Sequence, residues 1–265
     1  MLFPSSAVQS LRRVFQNAFT VCDVAEPLAS FDETTSADSV RECMEASRFQ
    51  VAGVRRSGRV QAFIQITDLG SGPCSDYQQN FDEAMIIPDS LPLVELVQRL
   101  SDQQRLFVSV LGQVGGIVSR SDLQKPPVRM WLFGMLTLIE MRTTRLIDRG
   151  CPGNTWQAFL SDARVQKSQD LMAERARRNQ EVSLLDCLQL SDKLQIVSRN
   201  EDLRRHTRFQ SRRQMDESIK LLERLRNNLA HSQDIIADDW GTIVALSENF
   251  ENVLNGPQDL AEELD

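Results

Sequence analysis

The feature that most constrains this chain is an internal repeat. Residues 28–69 read LASFDETTSADSVRECMEASRFQVAGVRRSGRVQAFIQITDL, and residues 85–123 read MIIPDSLPLVELVQRLSDQQRLFVSVLGQVGGIVSRSDL. Each opens with a short extended piece and a polar turn. Each continues into a stretch with helical spacing of apolar residues: Val40, Cys43 and Met44 in the first, Leu93, Val94, Val97 and Leu100 in the second. Ser36 and Ser90 stand where N-caps are expected, because a serine oxygen accepts from the free amides of a first helical turn. Two β-rich runs follow around a tight turn, SGR in one copy and LGQ in the other, and each copy closes on Asp-Leu. A repeated strand–helix–strand–strand order predicts two small α/β units packed together.

Beyond Pro127 the pattern changes to helical periodicity throughout. Five segments follow: VRMWLFGMLTLIEMRTTRLIDRG, ended by Gly150; a second, capped at Thr155 and ending near Asn179; SLLDCLQLSDKLQIVSRN; SRRQMDESIKLLERLRNNLAHSQDII; and DDWGTIVALSENFENVL. In the fourth, Met215, Ile219, Leu222, Leu225 and Leu229 mark one buried face. Short connections between amphipathic segments predict an antiparallel helical bundle. The fold class is α/β plus all-α: a tandem pair in residues 1–125, with copies at about 20–69 and 80–123, then a bundle in 126–265. Pro126 and Pro127 set the boundary, since proline disfavours helix in the residue before it.

Charge narrows the partners. The net charge is −7, so the chain has no global attraction to nucleic acid and any RNA contact needs a local basic patch. Residues 199–226 supply one, with nine Lys and Arg against five Asp and Glu, and the chain turns acidic from Asp234 to Asp265. No DNA partner is expected. Five scattered cysteines, odd in number and without metal-ligand spacing, fit reduced thiols in a cytoplasmic protein, and with two histidines they offer no zinc site. The start, MLFPSSAVQSLRRVFQNAF, has no long apolar core and does not read as a secretory signal. The run MWLFGMLTLI at 130–139 is too short to span a bilayer, is followed by Glu140 and Arg142, and reads as one side of a buried helix.

The repeat endings resemble the cystathionine β-synthase (CBS) domain, a family of tandem pairs. That family closes its second strand with Gly, two apolar residues, Thr or Ser, two variable residues and Asp. GIVSRSD in the second copy fits in full through Gly116, Ser119 and Asp122. AFIQITD in the first keeps Asp68 but has Ala62 and Gln65 at the other two places. The resemblance covers roughly residues 20–125 and implies a cleft for an adenosine nucleotide (AMP, ADP or ATP) or S-adenosylmethionine. It implies that Asp122 or Asp68 accepts from both ribose hydroxyls, which suits the two oxygens of a carboxylate. Ser119 and Arg120 would meet the phosphate, and Phe107 and Val108 would lie against the adenine. Gln65 would crowd the phosphate place in the first copy, so the second copy is expected to be the better site. The competing expectation is a pair that serves as scaffold only, with Asp122 capping the following helix.

The fourth helical segment ends in RLRNNLAH. Arg226, four residues, then His231, with Asn227 after the arginine, resembles the hallmark of the HEPN family of helical bundles. Many of its members are metal-independent ribonucleases in which two subunits build one cleft; others are non-catalytic. The residue types suit the chemistry. Histidine titrates near working pH and moves protons at a 2′-hydroxyl and a 5′-oxygen, while arginine offers a fixed fork of donors to a phosphorane. Asn227 would hold the imidazole or touch a phosphate. Five positions separate Arg226 and His231, about 140° around a straight helix, so they converge only if the helix bends or ends there, or if a homodimer brings a second copy. Some relatives carry Tyr two residues after the His; Gln233 stands there, and Tyr77, the single tyrosine, lies in the first half. His206, in the basic run RRHTRF, is the weaker histidine and reads as RNA contact or solvated surface. The combined expectation is a nucleotide-regulated endoribonuclease acting on RNA without metal. The alternative is a non-catalytic, adenylate-responsive dimeric scaffold whose helical half binds a protein.

Overall fold

The computed structural model describes residues 17–207, 209–231 and 233–254. Most of the start read against a signal peptide, and the acidic end at 255–265, lie outside them. The described residues form two compact units, 17–128 and 129–254.

The first unit holds two four-stranded mixed sheets. One has the order β2-β3-β4-β5, from strands Ser30–Asp32 (β2), Val51–Arg56 (β3), Arg59–Gln65 (β4) and Gln79–Asn80 (β5). The other has the order β1-β8-β7-β6, from Glu26–Pro27 (β1), Ile86–Pro88 (β6), Arg105–Val110 (β7) and Gln113–Ser119 (β8). Helix α1 (Ala37–Ser47) follows β2 and helix α2 (Leu93–Asp102) follows β6. The repeat holds to fine detail. Each hairpin turns through two residues of positive φ, Ser57-Gly58 and Leu111-Gly112. That handedness matches the twist of the flanking strands. Each hairpin also shifts register at the same place, between Val54 and Arg55 and between Val108 and Ser109.

The copies exchange their closing segments. β1, which leads into the first copy, pairs antiparallel with β8 of the second, and β5, which leads into the second copy, pairs antiparallel with β4 of the first. Residues 20–27, read from sequence as the start of the first copy, therefore complete the second sheet. The segment before β1 bonds to the approach of α2 (Val21 N to Leu91 O, Leu93 N to Phe19 O). Residues 72–75 do the same for α1 (Ala37 N to Gly72 O, Cys74 N to Thr35 O). Phe63, Phe81 and Phe107 meet between the sheets with ring centroids 4.6–5.6 Å apart. Phe107 takes the register place that Gly53 holds in the first copy, where a Cβ would come within 2.7 Å of Val60.

Two capping expectations change. α2 is preceded by Pro92, not Ser90, with φ −60 and ψ 147, values that proline adopts without strain and that end the preceding turn. Ser36 does precede α1, yet its side chain makes no cap bond. Cys43 faces out, and Ala37 joins Val40 and Met44 in the core instead.

The second unit is helical. Helix α3 (Pro126–Gly150) begins at the proline pair, where the missing amides are ones a helix leaves unpaired. Its first residues belong to the tandem unit. Then come α4 (Asp162–Arg177), α5 (Leu190–Arg199), α6 (Glu201–Arg205), α7 (Arg212–Ala230) and α8 (Ile236–Leu254). Thr155 caps nothing: it lies in a 3-10 segment, Pro152–Phe159, broken by positive φ at Gly153 and Asn154, and Ser161 precedes α4. The stretch read as a third helix divides into a 3-10 turn, Leu185–Cys187, and α5, and at its end Asn200 accepts from the amides of Asp202 and Leu203 and starts α6. In α7, Ser211 caps, accepting from Gln214 N at 3.2 Å, and Met215, Ile219 and Leu225 are buried. In α3, Trp131, Leu132, Met135, Leu136, Leu138 and Ile139 are buried, but Met130 and Phe133 stay 62% and 59% exposed. The apolar run therefore has an outer side as well as an inner one. No helix among the described residues is long and apolar enough to cross a membrane.

Candidate functional site

Asp68 and Asp122 occupy the same place in the two copies, each in the 3-10 turn that leaves the hairpin (Ile66–Asp68 and Arg120–Gln124). Their surroundings differ. Asp122 Oδ2 accepts from Ser119 N at 2.7 Å and from Ser119 Oγ at 2.9 Å, a capping box that closes the turn on itself. Its Oδ1 lies 2.9 Å from Lys125 Nζ, and the side chain is only 14% exposed. Lys125 also bonds to the Val24 carbonyl and to Glu26 of the exchanged strand β1. Partial burial is the largest single influence on Lys125 and pushes it down. The hydrogen bonds and charges of Glu26 and Asp122 outweigh that and hold the ammonium above its ordinary value.

Asp68 is exposed. Its Oδ1 accepts from Thr67 Oγ1 at 3.0 Å and its Oδ2 from Gln79 Nε2 at 2.7 Å. Gln79 sits on β5 opposite Phe63, as Glu26 sits on β1 opposite Ile117. In both copies, then, the exchanged strand supplies a side chain to the aspartate, directly in the first and through Lys125 in the second. Gln65 is half-buried at the head of its turn. Tyr77 donates to Ser71 O at 2.8 Å and packs where a Cβ on Gly70 would stand, so the single tyrosine braces the loop after Asp68.

Three members of the expected nucleotide set are placed otherwise. Arg120 is not free for a phosphate: its guanidinium donates to Leu100 O at 2.7 Å and Ser101 O at 2.8 Å, satisfying carbonyls at the end of α2. Phe107 and Val108 are each 1% exposed and belong to the core, so neither presents a face to an adenine in this conformation. In the second copy, expected to be the better site, the carboxylate is largely covered, whereas that of the first is exposed.

In the helical unit Arg226, Asn227 and His231 are all exposed, and none has a side-chain bond among the described residues. α7 ends at Ala230, and His231 is its C-cap, with φ −102 and ψ 12 and its amide donating to Asn227 O at 3.0 Å. The end of the helix thus falls between Arg226 and His231. The backbone beneath them is firmly held. Asp239, fully buried at the start of α8, accepts from Arg224 Nε at 2.8 Å and Asn228 Nδ2 at 2.7 Å. Arg129 of α3 donates to the carbonyls of Asn228 and Gln233.

Part of the basic stretch is engaged: Arg205 pairs with Glu201, Arg212 with Asp216 and Arg213 with Glu217, while Arg199 and Arg204 bond to the Phe159 and Ser198 carbonyls. His206 is not on an open basic strip. It is half-buried in the wall of a cavity of about 400 Å³ lined mainly by apolar side chains such as Ile139, Leu194, Met215 and Leu246. Among the described residues no cluster of His, Cys, Asp and Glu is arranged to hold a metal.

Sequence reasoning missed Lys125, Glu26, Gln79 and Asp239. A lysine three residues after Asp122 was visible, but its second partner lies 99 residues away. Gln79 and Glu26 reach the aspartates only because the strands are exchanged.

No family model matches the chain, and no curated protein does. Solved structures do. A CBS-pair protein from Arabidopsis thaliana is 19% identical over 43% of this chain and 95% of its own, with a TM-score of 0.36. A CBS domain protein from Pyrobaculum aerophilum, complexed with AMP, is 17% identical over 42% and 96%, with a TM-score of 0.36. The CBS domain of a bacterial CNNM/CorC family Mg2+ transporter, in complex with ATP, is 11% identical over 46% and 94%, also with a TM-score of 0.36.

Proposed function

We propose that the protein is an adenine-nucleotide-responsive regulator built from a CBS-like pair and a HEPN-like helical effector that cleaves RNA without metal. The observation that carries the effector reading is the state of Arg226, Asn227 and His231. All three side chains are exposed at the end of α7, while Arg224, Asn228, Asp239 and Arg129 hold its frame. The buried contacts consume none of the three motif side chains. His231 would move the proton between the 2′-hydroxyl and the 5′-oxygen, and Arg226 would stabilise charge on the phosphorane. Because the motif is exposed at the end of α7, two copies could share it, and the active unit would be a homodimer with two motifs in one cleft. In the tandem unit a ribose diol would be taken by Asp68 or Asp122, with Ser119 beside the latter.

The test is cleavage of single-stranded RNA in EDTA, with and without AMP or ATP. Wild type is expected to leave a 2′,3′-cyclic phosphate. His231→Ala should lose about 100- to 10,000-fold in rate, and Arg226→Ala a comparable factor, with both variants folded. His206→Ala should retain activity. Equal rates for wild type and the double variant of Arg226 and His231 would refute it.

A second reading, a nucleotide-responsive scaffold, is favoured by one observation. Met130 and Phe133 are exposed together in a groove completed by Gly134, Thr137 and Leu229, a surface suited to a protein partner. Failure of cleavage under all nucleotide conditions would put this reading first.

A further inference from the structure

Lys125 joins three things that a regulatory pair needs to connect. It contacts Asp122, the carboxylate of the second copy; it holds the Val24 carbonyl and Glu26 of the exchanged strand β1; and it is the residue immediately before α3, which runs on into the helical unit. A carboxylate has about four acceptor positions. At Asp122 three are taken, by Ser119 N, Ser119 Oγ and Lys125 Nζ. A ribose diol needs two. The Ser119 amide is fixed by the turn, and the serine hydroxyl closes the same capping box. The ammonium is the donor on a long flexible stem, and it has two other acceptors to fall back on.

We propose that Lys125 is a latch: it covers Asp122 in the unliganded protein, and a nucleoside diol engages the second copy by displacing it onto Glu26 and the Val24 carbonyl beside β1. This inference rests on nucleotide binding by the tandem unit and adds how that binding is gated. The first copy has no such latch. Asp68 is covered only by neutral donors, Thr67 and Gln79, and is exposed, so the pair holds one open carboxylate and one closed one. Coupling between latch and ligand is reciprocal: whatever opens the latch tightens the ligand, and the ligand opens the latch by the same factor.

The experiment measures AMP binding by calorimetry to the full chain, to Lys125→Met and to Glu26→Gln, with amide hydrogen exchange read over residues 24–28. Lys125→Met should bind AMP about twofold to fivefold tighter at the second copy, the upper part of the range for an ion pair removed from the free state. Glu26→Gln should bind more weakly than wild type, because the ammonium then has Asp122 as its one charged partner. A merely structural role would shift both variants in the same direction. AMP should slow exchange at residues 24–28 in wild type, where the displaced ammonium stays on Val24 and Glu26, and leave Lys125→Met unchanged. Lys125→Arg, which keeps the charge, guards against misfolding and should bind like wild type. If AMP binds wild type while Lys125→Met binds equally or more weakly, the latch is refuted and nucleotide sensing stands. If AMP binds none of the four proteins, nucleotide sensing by this unit fails and the latch fails with it.

Discussion

Replacing Asp239 by Ala should destabilise the helical unit by about 2–4 kcal/mol. The magnitude follows from what each partner meets afterwards. Asp239 is fully buried and accepts from Arg224 Nε and Asn228 Nδ2. The Arg224 side chain is 49% exposed and can rehydrate, so its loss lies well below the roughly 3–5 kcal/mol seen when a fully buried pair is broken. Asn228 is 9% exposed and cannot rehydrate; its stranded amide adds about 1–3 kcal/mol. Asp239→Asn keeps a carbonyl acceptor and should cost less. The assay is urea unfolding followed by tryptophan fluorescence. All three tryptophans, Trp131, Trp156 and Trp240, belong to the helical unit, so the signal reports on that unit alone. Because Asn228 and Asp239 share one bond, the double substitution to Ala should cost less than the sum of the singles, by about 1 kcal/mol or more. A change below about 0.5 kcal/mol for Asp239→Ala, or strict additivity with Asn228→Ala, would refute the reasoning.

Two further outcomes are expected. Leu111 is 99% exposed and held at φ 51 in the second hairpin turn, so Leu111→Asn should stabilise the tandem unit by roughly 0.5–1 kcal/mol by removing a side chain unsuited to that backbone; an unchanged or lower thermal midpoint by circular dichroism would count against it. Cys22 and Cys43 are exposed whereas Cys74, Cys151 and Cys187 are buried, and burial pushes the Cys74 and Cys151 thiols up. Two thiols should therefore react with a disulfide reagent in the native protein and all five after denaturation, which a stopped-flow titration at pH 8 would decide.

Local order wrote much of this fold into the sequence. The spacing of Val40 and Met44, of Leu93, Val97 and Leu100, and of Met215, Ile219 and Leu225 marks buried faces because a helix repeats every 3.6 residues whatever surrounds it. Ser57-Gly58 and Leu111-Gly112 mark hairpins because a two-residue turn there needs positive φ. The Asp-Leu endings mark equivalent turns, with Leu69 and Leu123 buried in both. The tertiary structure decided what those local signals could not carry. Which sheet a two-residue strand joins depends on the edge left open by distant strands, so β1 went to the second copy and β5 to the first. Arg120 went to the carbonyls that end α2, and Phe107 to the core against Phe63 and Phe81, because burial and hydrogen bonding are settled among neighbours far apart in the chain. For the same reason Asp122 faces Lys125 and Glu26: the residue that covers a carboxylate is chosen by the packing of strands, and no spacing along the sequence encodes it.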